Sequence, residues 1–190
     1  MAWQITNKKI LFDYHNVLFK LVGVTTDWIS ADGETFTLCG EEHCNPFCRM
    51  IMATPEGLHA CRTATAERMA LCRSNRRNHI FACHAGLVDT AVPLFLDDCY
   101  IGCLSAGQFL TAPPSEEHFA EVREKTAHLN LDEAKLREAY FNTPVFSPEK
   151  VDSLLELLGL IGEYVVKAES RLFFFESIND RKPIRAARHY

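Results

Sequence analysis

Between residues 79 and 110 the chain carries three strand-like runs, 79–83, 90–96 and 100–110, separated only by turns at Ala85-Gly86 and Asp97-Asp98. Connections this short join antiparallel neighbours, because a parallel return needs a crossover of about a dozen residues or more. An earlier pair of runs, 22–30 and 35–39, flanks Ala31-Asp32-Gly33-Glu34, whose Asp-Gly step accepts the positive φ of a hairpin turn. The order of two strands, helices, then three strands predicts an α+β domain on a five-stranded antiparallel sheet, with the helices on one side.

Helical periodicity fills the remaining segments. Ile10, Leu11, Tyr14, Leu18 and Leu21 recur at roughly helical spacing and predict a lead-in helix over 6–20. Residues 47–52 are short and apolar. Pro55, Glu56 and Gly57 then open a helix reaching about Asn75, with Leu58, Cys61, Thr65, Met69 and Cys72 on one face. Cys61 and Cys72 are therefore expected to look inward. Past Pro113-Pro114, Ser115 suits an N-cap, and Glu116 and Glu117 favour a helix N-terminus. A second helix is expected over 131–140. The last helix starts at Ser147-Pro148 and runs to about Phe175. Along it Val151, Leu158, Val165 and Leu172 recur every seven residues, each followed three residues later by Leu154, Ile161, Ala168 and Phe175. Such heptads mark a helix paired with another helix. Two readings stay open: packing on its own domain, or the seam of a parallel homodimer over 147–175.

With 190 residues, 47% of them hydrophobic, the chain can build one substantial core plus an appendage. The expected divisions are 1–146 for the sheet-bearing body, 147–178 for the long helix and 179–190 for a basic tail. A net charge of −5 argues against an overall basic surface that grips nucleic acid. The basic cluster of note is terminal: Arg181, Lys182, Arg185 and Arg188. The N-terminus lacks a long apolar signal region, and no stretch approaches the roughly 18 apolar residues of a membrane span. A cytosolic location is expected. There the eight cysteines would be reduced rather than paired, and used for packing, metal, redox or ligand contact.

Several segments together carry a family resemblance: Pro46-Phe47-Cys48, Cys61-Arg62, Cys83-His84-Ala85-Gly86-Leu87-Val88-Asp89, Pro93-Leu94 and Gly107-Gln108. In this order and spacing the chain resembles the PocR sensory-domain family over roughly 8–170, most closely between 46 and 109. The resemblance implies a PAS-like domain that senses a small hydrocarbon derivative such as a diol and stands before an AraC-type DNA-binding region. The residues 181–190 look like the start of the first helix of such a region, so that DNA would be met only through an output domain outside this chain. A kinase output would use the same connecting helix. Otherwise the tail is a solvated basic end.

The cysteine segments admit three chemistries. Cys48, Cys61, Cys83 and His84 could supply thiolate and imidazole ligands to zinc, although no C-x2-C pairing is present; an iron–sulfur cluster is the other metal reading, and the C-x4-C-x3-C run of Cys39, Cys44 and Cys48 matches no particular cluster spacing. Adjacent strand residues point to opposite faces, so Cys83 and His84 would share an ion only if the strand ended between them. The same geometry works against a Cys83–His84 nucleophile and base, and no third orienting group is apparent. In the sensor reading no cofactor is required. His84 and Asp89 flank the ligand, Gln108 contacts it from the end of the last strand, and Phe47, Cys48 and Cys83 line the apolar side. The bland alternatives are that the thiols pack as small hydrophobes, His84 satisfies backbone groups, Asp89 caps a turn and Gln108 bonds the sheet edge. Ligand binding is expected to close the 45–61 segment and shift the packing or pairing of the 147–175 helix.

Overall fold

A computed structural model describes residues 8–33, 35–37 and 43–180. Its centre is the hairpin of β4 (Val88–Leu96) and β5 (Cys99–Phe109), paired from Val88 opposite Phe109 to Leu96 opposite Cys99 with register shifts between Val88 and Asp89 and between Leu94 and Phe95. Asp97 takes a φ of 52° in the turn, a conformation that aspartate tolerates better than most residues. β3 (His79–Ala82) pairs with β4, while β1 (Thr25–Ser30) pairs with the other edge of β5. The short edge strand β2 (Thr35–Thr37) completes the antiparallel order β2-β1-β5-β4-β3.

Among the described residues the α-helices are α1 (Lys8–Val22), α2 (Pro46–Met52), α3 (Pro55–Asn75), α4 (Glu116–Thr126), α5 (Glu133–Phe141) and α6 (Pro148–Asp180). α1 runs two residues past the expected end, and Gly23 closes it with a φ of 73° and an N–H bond to the Phe19 carbonyl. The first strand consequently starts at Thr25 rather than at residue 22. The apolar run at 47–52 is helical because Pro46 suits a first turn and Asn45 Oδ1 accepts from Phe47 N at 2.9 Å. α3 follows at once, its first turn lying so close to α2 that a Cβ on Gly57 would sit 2.2 Å from the Ile51 carbonyl oxygen. Cys39, Glu34 and residues 181–190 lie outside the described residues, and with them the end of the expected second strand and the basic tail.

Helices cover both faces of the sheet, not one. Side chains alternate across a strand, so Trp28, Val92, Leu94, Leu104 and Ala106 share a face and pack with Leu18 of α1 and the inner side of α6. The opposite face carries Ile29, Phe81, Ala91 and Cys103 against Met69 and Cys72 of α3. A second core lies beyond this face, where Phe47, Ile51, Leu87, Phe119 and Tyr140 join α2, α4 and α5.

Four heptad positions of α6 are used within the domain. Val151, Leu154, Leu158 and Val165 are 1–3% exposed, and Gly162 lets the helix approach β4 so closely that a Cβ there would meet Leu94 Cδ2 at 2.3 Å. Over these four positions the helix packs on its own domain, the first of the two readings of the repeat. Leu157, Leu160 and Tyr164 form a different, exposed stripe on the same helix.

Candidate functional site

The sheet register assembles a polar cluster beneath α3. Asp89 of β4 lies opposite Gly107 of β5, and the carboxylate occupies the space a side chain at 107 would need, with Oδ1 2.3 Å from an ideal Cβ there. Oδ1 accepts from Ser105 Oγ at 2.8 Å and from Thr90 N at 2.9 Å, while Oδ2 accepts from Arg68 Nη1 at 2.8 Å. Arg68 reaches down from α3 and stacks over the Phe81 ring, 3.9 Å from its centroid. The two charged side chains are 14% and 25% exposed. Burial pushes the Asp89 carboxyl above the usual range, against the downward pull of Arg68 and the hydrogen bonds.

Next to this pair are the thiols. β3 ends at Ala82, so Cys83 and His84 both lie past the strand, in a turn closed by Gly86 N donating to the Cys83 carbonyl at 2.9 Å. Gly86 holds a φ of 97° and packs under Val122 of α4. The opposite-face argument against joint action of Cys83 and His84 thus does not apply. What the turn brings together is Cys61 of α3 and His84, with Sγ 3.1 Å from Nε2. Burial, followed by the field of Cys83, pushes the Cys61 thiol up to about 11, and burial, followed by Arg68, pushes His84 down. Both shifts favour an uncharged thiol donating to a neutral imidazole. Cys48 and Cys83 border the second core, their thiols raised chiefly by burial. Among the described residues no group of three or more His, Cys, Asp or Glu side chains is arranged to hold a metal ion, the set Cys48, Cys61, Cys83 and His84 included.

Gln108 sits at the far end of the cluster with a φ of 70°. Its Oε1 accepts from Asn45 N at 2.7 Å, and its carbonyl accepts from Asn45 Nδ2 at 3.1 Å, so β5 is clasped to the start of α2. Phe47 is fully buried and faces Tyr140, placing it in the second core behind Cys48. Arg68, Ser105 and Asn45 were not among the residues singled out by sequence. A charged Arg68 seven residues after Cys61 and four before Cys72, hence near an inward helix face, was the available signal. A separate surface groove of about 760 Å³ between α4 and α5 includes Ala120, Glu121, Arg123, Leu131 and Leu136, and none of these residues.

The Arg68–Asp89 pair is thus set between the sheet and its helical cover, and comparison with known families places the chain in the class of sensory domains. It belongs to the family described as the sensory domain found in PocR, whose family model matches residues 4–170. That span takes in the whole sheet, α1 to α5 and most of α6. No curated protein and no solved structure gives a match. No helix among the described residues is long and apolar enough to cross a membrane.

Proposed function

We propose that this sensory domain binds a small hydroxylated or otherwise polar hydrocarbon derivative, a diol or alcohol, between the sheet and α3, and passes occupancy to α6. The observation that carries the reading is the Asp89–Arg68–Ser105 cluster: a sequestered carboxylate and guanidinium, both partly accessible, surrounded by thiols and aromatic rings. Small alcohols offer little apolar area, so selectivity must come from hydrogen bonds that an analogue lacking the hydroxyl leaves unmade. Asp89 can accept from a ligand hydroxyl and Arg68 can donate to one. Cys48, Cys61 and Cys83 serve as the apolar wall, and the uncharged Cys61–His84 pair supports binding rather than nucleophilic catalysis. The strand order supports a PAS-type plan.

β4 supplies the route outward. Asp89 faces the cluster, whereas Leu94, on the other face of the same strand, packs against α6 at Gly162. A shift of β4 on binding therefore moves the packing of the helix that would lead to an AraC-type output region. We place the protein in the cytosol, with DNA contacted through that region and with dimerisation, if α6 mediates it, using a face other than the buried heptad.

The test is a thermal-shift screen of small alcohols, diols and amines on wild type and Asp89→Asn, alongside anaerobic measurement of metal, iron and sulfide. An effector at a hundred times its Kd should add about 2.7 kcal/mol, or roughly 5–11 °C for a chain of this size, and the variant should lose that gain. Stoichiometric metal, or stabilisation that Asp89→Asn leaves intact, would overturn this reading.

A further inference from the structure

Two neighbouring residues of β4 meet two residues of β5 that are not neighbours. Val88 lies opposite Phe109 and Asp89 opposite Gly107, so Gln108 between them has no partner on β4. It is the extra residue of a β-bulge, with a φ of 70°. That left-handed conformation is uncommon outside glycine, asparagine and aspartate, and it persists where the surroundings fix it. Here Asn45 fixes it twice: its N–H donates to Gln108 Oε1 at 2.7 Å, and its Nδ2 donates to the Gln108 carbonyl at 3.1 Å. The Cys44 thiol also donates to Oε1, with Sγ 3.5 Å away.

The bulge decides what Asp89 faces. Continuing the Val88–Phe109 pairing by one residue would set Asp89 opposite Gln108, whereas the bulge sets it opposite Gly107. Residues directly opposite each other project from the same face of the sheet, so the glycine leaves a berth for the Asp89 carboxylate. An ideal Cβ at 107 would lie 2.3 Å from Oδ1, 2.6 Å from Cγ and 3.0 Å from Cβ of Asp89. All three contacts are with one short side chain whose carboxylate can rotate away. A methyl group at 107 therefore moves the carboxylate before it moves the strand. Oδ1 would then leave Ser105 Oγ and Thr90 N, the two donors that hold it.

We propose that Gly107 and the bulge at Gln108 are positioning elements of the site, seating the Asp89 carboxylate on β5, and that Gln108 acts through this seat rather than by touching the effector. The Gln108 Oε1 is already engaged by donors of the 44–45 segment. Asn45, at the entry of α2, thereby supports a carboxylate it does not contact. That the seat governs effector binding rests on the site proposed above; the seating itself does not.

NMR titration of the full chain with protons alone reads the seat. An N–H bonded to a carboxylate is held more tightly once the carboxylate ionises, so the Thr90 amide proton should show a step with the same midpoint as Asp89 Cγ. In Gly107→Ala that step should fall to about a third or less. Gln108→Gly keeps the positive φ without the side chain and should retain more than about two-thirds of the step. Gln108→Val, whose branched side chain resists that φ, should lose the step as Gly107→Ala does. No step in wild type, or a wild-type step in Gly107→Ala or Gln108→Val, overturns the proposal. Equal loss in both Gln108 variants overturns it too, because the effect would then lie in the side chain and not in the bulge. If Gly107→Ala does not fold, its combination with Asp89→Ala should be as stable as Asp89→Ala alone, since the group the methyl strikes is gone; a further loss of stability overturns the berth. A failed effector screen leaves these results standing. A compound that stabilises wild type and Gly107→Ala equally, with the Thr90 step lost, separates the seat from binding and leaves Asp89→Asn to judge the site.

Discussion

Replacing Arg68 by methionine keeps most of the apolar stem that lies on Phe81 but deletes the cation facing Asp89. The carboxylate keeps its bonds from Ser105 Oγ and Thr90 N. Breaking a fully buried ion pair by removing one partner costs about 3–5 kcal/mol. Here the carboxylate is 25% exposed and two hydrogen bonds remain, so the expected loss at pH 7 is about 2 kcal/mol, or ~4–8 °C in Tm. Its pH dependence has a definite sign. Asp89 titrates above its ordinary value in the folded protein even with Arg68 present, and removing the cation raises it further. The folded state then takes up the proton before the unfolded state does. The penalty is therefore full above the folded pKa and fades as pH falls through it. Asp89→Asn removes the charge instead, so the double variant should recover much of the loss, with a coupling energy of about 1.5–2 kcal/mol. Urea unfolding of the four proteins at pH 7 and at pH 4.5 measures both quantities. Additivity within about 0.5 kcal/mol, or a penalty independent of pH, would refute the claim that Arg68 compensates a desolvated Asp89.

His15 acts with the opposite sign: its folded pKa of about 4 lies below the ordinary 6.5, so the unfolded chain is protonated first and the stabilisation present above pH 6.5 is lost on descent to about pH 4. The ceiling is on the order of 3 kcal/mol, and His15→Gln should flatten the slope of stability between pH 7 and 4.5; an unchanged slope would place the titration elsewhere. Gly162→Ala gains about 1 kcal/mol of helix propensity but drives a Cβ into Leu94, itself 3% exposed, so a net loss of about 1 kcal/mol is expected. A higher Tm in that variant would show that close packing at this contact does not hold α6. Site-resolved thiol labelling of the native protein at pH 7.5 should modify exposed Cys99 fast. Cys72 and Cys103, buried and pushed up to about 11 and 12, should resist, and rapid modification of either would contradict their burial.

The strand runs, the Asp-Gly hairpin, the inward Cys72 and the start of α6 were readable from the sequence because each depends on periodicity and capping within one segment. The motif order likewise drew attention to Cys48, Cys61, Cys83, His84 and Asp89. Their partners were not readable. Arg68 meets Asp89, and Ser105 meets the same carboxylate, only because β4 pairs with β5 so that Asp89 falls opposite Gly107 while α3 crosses above. The end of β3 at Ala82 removes the strand argument for separating Cys83 from His84, and the contact that the turn makes is between Cys61 and His84.

The heptads show the same division most clearly. A repeat of seven specifies that α6 presents an apolar stripe, since helical geometry is local. It does not name the surface the stripe meets. Packing chose the sheet, where Gly162 permits close approach to Leu94, and left Leu157, Leu160 and Tyr164 outward. Local spacing thus determined which elements exist, whereas the pairing of residues far apart in the chain decided which faces are buried and which side chains share the site.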